Sequence, residues 1–294
     1  MIGKDNVKLN ENLQLHTTYK VGGTCKYFIT PKDVDELIEL VKYLKENNIK
    51  YMVLGNGSNT IFSSKEYDGV IINLTNLNSM EIKDNKIYVE SGYQLIKLSM
   101  DALNKGLSGL EFAAGIPGNI GGAVFMNAGA YKSDMSKLIK EVTFLDENLD
   151  IKTLSKEELN FSYRKSLFQD HPEYIILSTV LELEEGIKEE IKELMDNRKE
   201  RRISSQPLDY PSAGSVFRNP SEDIFAGKLI EDLGLKGYQI GGAQISEKHA
   251  NFIINVGGAT GEDIKALIDL VKAKVKEKYN IDLHVEQRFI NFED

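Results

Sequence analysis

Only one cysteine, Cys25, stands in 294 residues, so no internal disulfide forms and nothing ties the chain to an oxidising compartment. Basic residues are outnumbered, 36 Lys and Arg against 45 Asp and Glu, which leaves a formal charge of -9 and a pI near 5.2. That balance argues against a sequence-independent grip on nucleic acid, which needs many cations facing phosphates. No apolar run approaches the roughly 18 residues of a membrane span. The start, Met-Ile-Gly-Lys-Asp-Asn, lacks the apolar centre of a signal peptide. The expected location is the cytoplasm, with no membrane and no nucleic-acid partner. His16, His171, His249 and His284 are too scattered for a metal site, and no metal is expected. What is present is ordinary globular composition, 41% apolar and 28% charged, over enough length for two or three packed units.

Residues 33 to 47 put Val34, Leu37, Ile38, Val41 and Leu44 on one helical face with Asp33 as its cap, and an apolar strand follows at 51 to 54. A second apolar run covers 69 to 74, so a first unit of strands and helix is expected to close near residue 80. A hairpin is expected at Asp84-Asn85, then a helix carrying Leu95, Leu98 and Ala102 that Gly106 ends. Strand patterns return at 141 to 146 and at Ile175, Leu177, Thr179, Leu181 and Leu183, whose alternation buries one face. A charge-dense helix from about 187 to 202 closes the middle. Its Asn197-Arg198-Lys199-Glu200-Arg201-Arg202 end reads as a solvated helix end, not a binding patch. The last part holds a helix near 228 to 233, a strand at 251 to 256, and a helix opened by Thr260 and Asp263 with Ile264, Leu267, Ile268, Val271 and Val275 inward. The division expected is 1–80, 81–202 and 203–294, with a return of the last strand toward the first part as an option.

Two glycine-dense segments exceed what turns need: Gly55-Asn56-Gly57-Ser58-Asn59, and Gly115-Ile116-Pro117-Gly118-Asn119-Ile120-Gly121-Gly122-Ala123. Glycine lets backbone N–H groups converge without a Cβ in the way, and such concavities bind phosphate oxygens. A pyrophosphate-bearing cofactor is the expected guest. The first segment follows a strand but lacks a third glycine, and Thr60-Ile61-Phe62 continues as strand, which removes the Rossmann fingerprint; no Gly-Lys-Ser/Thr ending exists, which removes the P-loop.

The most specific stretch is Ser212-Ala213-Gly214-Ser215-Val216-Phe217-Arg218-Asn219-Pro220. With His16-Thr17-Thr18-Tyr19-Lys20-Val21-Gly22-Gly23, the two glycine segments, Asn127-Ala128-Gly129-Ala130-Tyr131, Tyr163-Arg164-Lys165-Ser166, Gly241-Gly242-Ala243-Gln244, His249-Ala250-Asn251 and His284-Val285-Glu286-Gln287-Arg288, it resembles the UDP-N-acetylenolpyruvoylglucosamine reductase family, in its shorter subtype. The resemblance spans nearly the whole chain. It implies an α+β fold: a two-lobed FAD-binding domain of the vanillyl-alcohol-oxidase type, lobes 1–80 and 81–202, followed by a substrate-binding domain at 203–294. It also implies noncovalent FAD, so that His16 is not a covalent flavin anchor, NADPH as electron donor, UDP-N-acetylenolpyruvoylglucosamine as substrate, and no required oligomer.

Residue by residue, the resemblance assigns catalysis to Arg164, Ser215 and Glu286. Cofactor binding falls to Tyr19, Gly55, Asn56, Gly57, Ser58, Asn59, Ile116, Pro117, Gly118, Gly121, Gly122, Ala123 and Asn127, and substrate binding to Tyr163, Asn219, Lys228, Gln244, His249 and Asn251. A guanidinium that forks onto a carboxylate suits Arg164 to an enolate-like intermediate. A protonated Glu286 would add a hydrogen bond, and Ser215 would deliver a proton to carbon. Taken singly, Arg164 also reads as a surface ion pair, Ser215 as a turn serine and Glu286 as the exposed half of a strand. Two departures from the family pattern, Lys132 for glycine and Gln287 for valine, touch loop shape and not the reacting groups. A flavin oxidase using oxygen and a non-catalytic flavin or UDP-sugar binder stay open as alternatives.

Overall fold

A computed structural model describes residues 3–292. The chain folds as two compact units. Unit 1 contains the chain up to Leu9 with Tyr27–Asn56 and Gly69–Glu200; unit 2 contains Asn10–Lys26, Gly57–Asp68 and the chain from Arg201 onward.

In unit 1, helix α1 (Val34–Glu46) begins where Asp33 accepts a hydrogen bond from the Glu36 N–H at 2.9 Å, as its sequence predicts. Its buried Leu37, Leu40, Val41 and Leu44 share one apolar cluster with Ile29, Val70 and Ile72. The sheet beside it runs in the order Val7–Asn12, Thr24–Ile29, Tyr67–Asn73, Tyr51–Leu54, with the last two strands parallel. A second, five-stranded antiparallel sheet has the order Ile151–Ser155, Ile139–Leu145, Ile175–Glu182, Lys86–Glu90, Met80–Lys83. Helix α2 (Leu95–Lys105) ends on Gly106 at φ 74°, and α3 (Ile120–Phe125) follows inside the second glycine segment, where no helix was expected. Ile87, Leu95, Leu98, Ile120, Val124, Val142 and Leu181 form the common core of these elements. Each such side chain contributes about 1.5–3 kcal/mol of burial.

The polar helix α4 (Lys188–Ser205) contains the boundary between Glu200 and Arg201. Its end is not simply solvated. The Tyr131 hydroxyl donates to the Arg198 carbonyl at 3.0 Å, and the Arg198 guanidinium lies 4.9 Å from the Tyr131 ring centre, so an aromatic ring docks it within unit 1.

Unit 2 is built from α5 (Ala226–Asp232), α6 (Gly261–Tyr279), a three-stranded antiparallel sheet in the order Gln239–Ile240, Ala243–Ile245, Ile253–Asn255, and a parallel pair, Thr60–Phe62 with Arg288–Ile290. Its core joins Tyr19, Val21 and Ile61 to Val216, Ile230, Ile245, Ile253, Ile264 and Leu267. The expected stretches were consecutive, whereas the compact units interleave. The cause is physical: the C-terminal strand pairs with Thr60–Phe62 and gathers residues 57–68 into unit 2. Within unit 1, Leu145, Ile175 and Leu177 share a cluster with residues from before position 80.

Candidate active site

Both glycine segments reach one place in unit 1. Asn56 Nδ2 donates to the Pro117 carbonyl at 3.2 Å, and a Cβ on Gly55 would stand 3.4 Å from Asn119 Oδ1. Asn73, a polar residue inside the apolar run 69 to 74, shapes the strand end by donating to the carbonyls of Leu54 (2.9 Å) and Gly55 (3.1 Å). The second segment is held from behind: Gly118 accepts from Leu95 N–H, Ile120 N–H donates to Tyr93, Gly121 N–H donates to Ser91, and Asn119 Nδ2 donates to Gly92 at 2.6 Å. These bonds explain α3, which the local sequence alone does not favour.

A test of fit for a pyrophosphate-bearing cofactor follows from two features. Asn119 Oδ1 and Ser91 Oγ are buried with no hydrogen-bond partner among the described residues, a state that costs about 1–3 kcal/mol per group; the amide oxygen only accepts, so a hydroxyl or ring N–H of the cofactor relieves it and a pyrophosphate does not. Gly122 is exposed, with nothing within 4 Å of where its Cβ would be, so the start of α3 presents open backbone. Polar, Cβ-free and open, the segment fits the group. Ile116 is partly buried against the unit 1 core and Ala123 is buried in it, so these two shape the segment through packing. Asn127 is 2% exposed and its amide is committed: Nδ2 donates to Ser162 O at 2.9 Å and Oδ1 accepts from Ser136 N–H at 2.9 Å. It acts through what it holds.

What Asn127 holds is the turn carrying Arg164. Ser162 and Lys165 exchange backbone hydrogen bonds at 3.1 and 3.0 Å across Tyr163 and Arg164, and Arg164 takes φ 57°, a left-handed position where turns favour glycine or asparagine. Gln169 Nε2 donates to the Arg164 carbonyl at 3.0 Å, and the guanidinium donates to the Gly129 carbonyl at 2.8 Å with its carbon 5.3 Å from the Tyr163 ring centre. Tyr163 is 56% exposed. An uncommon backbone conformation pinned by two side chains, Asn127 and Gln169, presents a charged group with little freedom.

Unit 2 assembles the remaining expected groups. The segments bearing Ser215 and Glu286 lie side by side: Glu286 N–H donates to Val216 O at 2.8 Å, Phe217 bridges to Val285, and Arg218 N–H donates to His284 O at 2.9 Å. Asn59 ties the first glycine segment to this pair, Nδ2 donating to Glu286 O at 3.1 Å while its carbonyl accepts from Arg288 N–H. Gly57, at φ 59°, must be glycine, because a Cβ would collide with the His16 carbonyl. Ser58 beside it is half-buried. Asn251, 5% exposed, clamps Phe217 with both ends of its amide, Oδ1 accepting from Phe217 N–H (3.0 Å) and Nδ2 donating to Phe217 O (2.9 Å). His249 Nδ1 accepts from Asn251 N–H at 3.2 Å, and burial holds its pKa below the usual value, which keeps the ring neutral.

Several expected ligand groups also make bonds within the chain. Tyr19 is 0% exposed and its hydroxyl donates to Gln287 Oε1 at 3.1 Å, so this residue reaches a ligand only through its main chain. Lys228 pairs with Asp232 at 2.5 Å on the exposed face of α5, and Asn219 Oδ1 accepts from Ala226 N–H at the start of that helix. Gln244 Nε2 donates to the carbonyl of Gly237, in the turn before its sheet, at 3.3 Å. His16 Nε2 lies 2.8 Å from Glu11. Burial pushes the Cys25 thiol up to about 11, aided by Glu11. Sequence reasoning passed over Asn73, Asn119 and Gln169, and gave Gln287 a bearing on loop shape alone. The signal for Asn73 and Asn119 was a lone amide in an apolar or glycine-rich run; Gln169 carried none.

Residues 206–290 match the family described as UDP-N-acetylenolpyruvoylglucosamine reductase, C-terminal domain, and residues 25–155 the family described as FAD binding domain. The UDP-N-acetylenolpyruvoylglucosamine reductase of Caldanaerobacter subterraneus subsp. tengcongensis is 46% identical over 282 residues, 96% of this chain and 93% of that one. UDP-N-acetylenolpyruvoylglucosamine reductase 1 of Bacillus cereus is 46% identical over 285 residues, 97% and 94% of the two chains. Among solved structures, UDP-N-acetylenolpyruvylglucosamine reductase from Thermus caldophilus is 34% identical with a TM-score of 0.81, covering 96% of this chain and 97% of that one.

Proposed function

The chain belongs to the UDP-N-acetylenolpyruvoylglucosamine reductase family and is an FAD-dependent oxidoreductase; on that premise we propose that it reduces UDP-N-acetylenolpyruvoylglucosamine to UDP-N-acetylmuramate, with NADPH as donor, for peptidoglycan precursor synthesis. The observation that carries the reading is the side-by-side placement of the Ser215 and Glu286 segments, remote in sequence and locked by Asn251 and Asn59. In this reading residues 1–80 and 81–202 serve the cofactor and 203–294 the substrate. The glycine backbone N–H groups at 55–59 and 116–123 would hold FAD noncovalently through its pyrophosphate, with Asn119 Oδ1 accepting from a hydroxyl or ring N–H of the cofactor. When bound, a flavin would supply two-electron chemistry between NADPH and the terminal carbon of the enolpyruvyl group.

The chain's own residues manage charge and proton. Arg164, already fixed by Gly129 and Gln169, forks onto the substrate carboxylate and stabilises the negative charge that grows there as hydride adds. Glu286, carrying a proton, donates a further hydrogen bond to that carboxylate. Ser215 Oγ–H gives its proton to the carbon next to the ether oxygen, completing a lactyl ether. A hydroxyl is a poor acid, so this step relies on a strongly basic intermediate and a fixed Ser215. Tyr163, Asn219, Lys228, Gln244 and His249 are the substrate contacts; Asn251 and Asn127 support through the main chain they hold, and Tyr19 through Gln287. No helix among the described residues is long and apolar enough to cross a membrane, which agrees with work in the cytoplasm on a soluble nucleotide sugar.

The test is anaerobic. NADPH should bleach the bound flavin and UDP-N-acetylenolpyruvoylglucosamine should restore its colour. Ser215→Ala should keep the bleaching and slow the recolouring by about 10²-fold or more, the usual share of a proton donor. Recolouring at the parental rate in Ser215→Ala would remove Ser215 from the chemistry. Flavin that is never bleached, or that only oxygen recolours, would point to a binder or an oxidase instead.

A further inference from the structure

Ser215 follows Gly214, a residue that packing does not hold. Gly214 sits at φ 75° with nothing within 4 Å of where its Cβ would stand, so no neighbour on that side fixes the direction in which the chain enters Ser215. On the far side the serine is secured, because Val216 N–H donates to Asn251 O at 2.8 Å. On the near side Ala213 is buried in the unit 2 core, and beyond that packing the turn's carbonyls are held by a single side chain. Gln287 Nε2 donates to the carbonyls of Ala213 (3.0 Å) and Gly214 (3.4 Å).

The orientation of that amide is forced. Carbonyls only accept, so the nitrogen must face residues 213 and 214 and the oxygen must face Tyr19, whose hydroxyl donates to it at 3.1 Å. Tyr19 is anchored in turn, its carbonyl accepting from Asn255 Nδ2 at 3.0 Å. Burial raises the phenol's pKa well above its ordinary value, which favours the protonated, donating form. Gln287 is 4% exposed, so water does not compete for these bonds.

We propose that Gln287, locked by the Tyr19 hydroxyl, is a positioning residue that sets the Ala213-Gly214 turn and thereby aims the Ser215 hydroxyl at the carbon it protonates. The inference rests on the assignment of Ser215 as proton donor. It gives a purpose to a residue that departs from the family pattern beside Glu286, and to a tyrosine whose phenol no ligand reaches.

The experiment compares the two half-reactions in the holoenzyme by anaerobic stopped flow, using Gln287→Met, which nearly conserves volume, and Tyr19→Phe, which removes one oxygen. A displaced proton donor costs on the order of 10-fold or more per fraction of an ångström. Gln287→Met should therefore leave flavin bleaching by NADPH within about two-fold of the parent and slow recolouring by the enolpyruvyl substrate roughly 10-fold. KM for that substrate should hold, and the solvent isotope effect on recolouring should rise. Tyr19→Phe should move the same readouts in the same direction by roughly three-fold. If Gln287→Met fails to accumulate as folded flavoprotein, Tyr19→Phe alone decides. Parental recolouring in the folded variants, or equal slowing of both half-reactions, overturns the inference. Ser215→Ala is run beside them: if its recolouring is normal, the proton-donor assignment falls and takes this inference with it, whereas if it is lost while Gln287→Met and Tyr19→Phe are normal, only the positioning role falls.

Discussion

Two consecutive left-handed residues, Tyr131 (φ 54°) and Lys132 (φ 59°), link the short strands Gly129–Ala130 and Ser133–Asp134. A two-residue link with both φ values positive is the turn that prefers Asn-Gly, and an L side chain there costs about 1 kcal/mol. Lys132→Gly should therefore raise stability by roughly 0.5–1 kcal/mol despite the greater freedom glycine has when unfolded, readable as a higher urea midpoint at constant m. The same scale shows where reading from sequence stopped. Arg164, Ser215 and Glu286 were legible as a motif set, but their means of support were not. Gln169, Asn127, Asn251 and Gln287 act across 5 to 74 positions through hydrogen bonds whose partners are backbone atoms, and backbone atoms leave no residue type to recognise.

Among elements, α6 was the most legible, since Thr260 and Asp263 announce its start and its inward residues keep a helical period. The cap is unequal in its two halves. Thr260 Oγ1 accepts only from Asp263 N–H at 3.0 Å, whereas the Asp263 carboxylate accepts from Thr260 N–H (3.0 Å) and from Gly242 N–H (3.3 Å) and fills the space under Gly241. Thr260→Ala should cost about 1 kcal/mol and Asp263→Ala about twice that, with thermal unfolding as the measurement. Equal losses would mean that the Gly242 bond contributes nothing. Helix α3 is the opposite case. Its sequence, Ile-Gly-Gly-Ala-Val-Phe, is poor in helix formers, and its first amides are placed by Ser91 and Tyr93, residues that precede α2. A window-based reading sees only loop there because the cause lies outside the window.

For the molecule as a whole, composition and motif order were enough for the fold class and the family, and not for the way the chain is shared between units. Strand Thr60–Phe62 has its partner in Arg288–Ile290, and the tail is fastened further by Ser63 Oγ donating to Asn291 O at 2.7 Å and by Asn291 Nδ2 donating to Glu66 O. Ending the chain at Gln287 removes these bonds together with Phe289 and Phe292, which pack on the unit 2 core and on each other with ring centres 5.3 Å apart. The shortened protein should be cut by protease between residues 201 and 287 under conditions where the parent resists, while 69–200 stays protected. Protection equal to the parent would show that the tail is an accessory. The tail also sets a timetable. Ser63 and Asn291 are 228 residues apart, and a ribosome adding about 5–20 residues per second takes roughly 11 to 46 s to make that distance. For all that time Thr60–Phe62 waits with its edge bare, open to pairing with other chains until the tail is made.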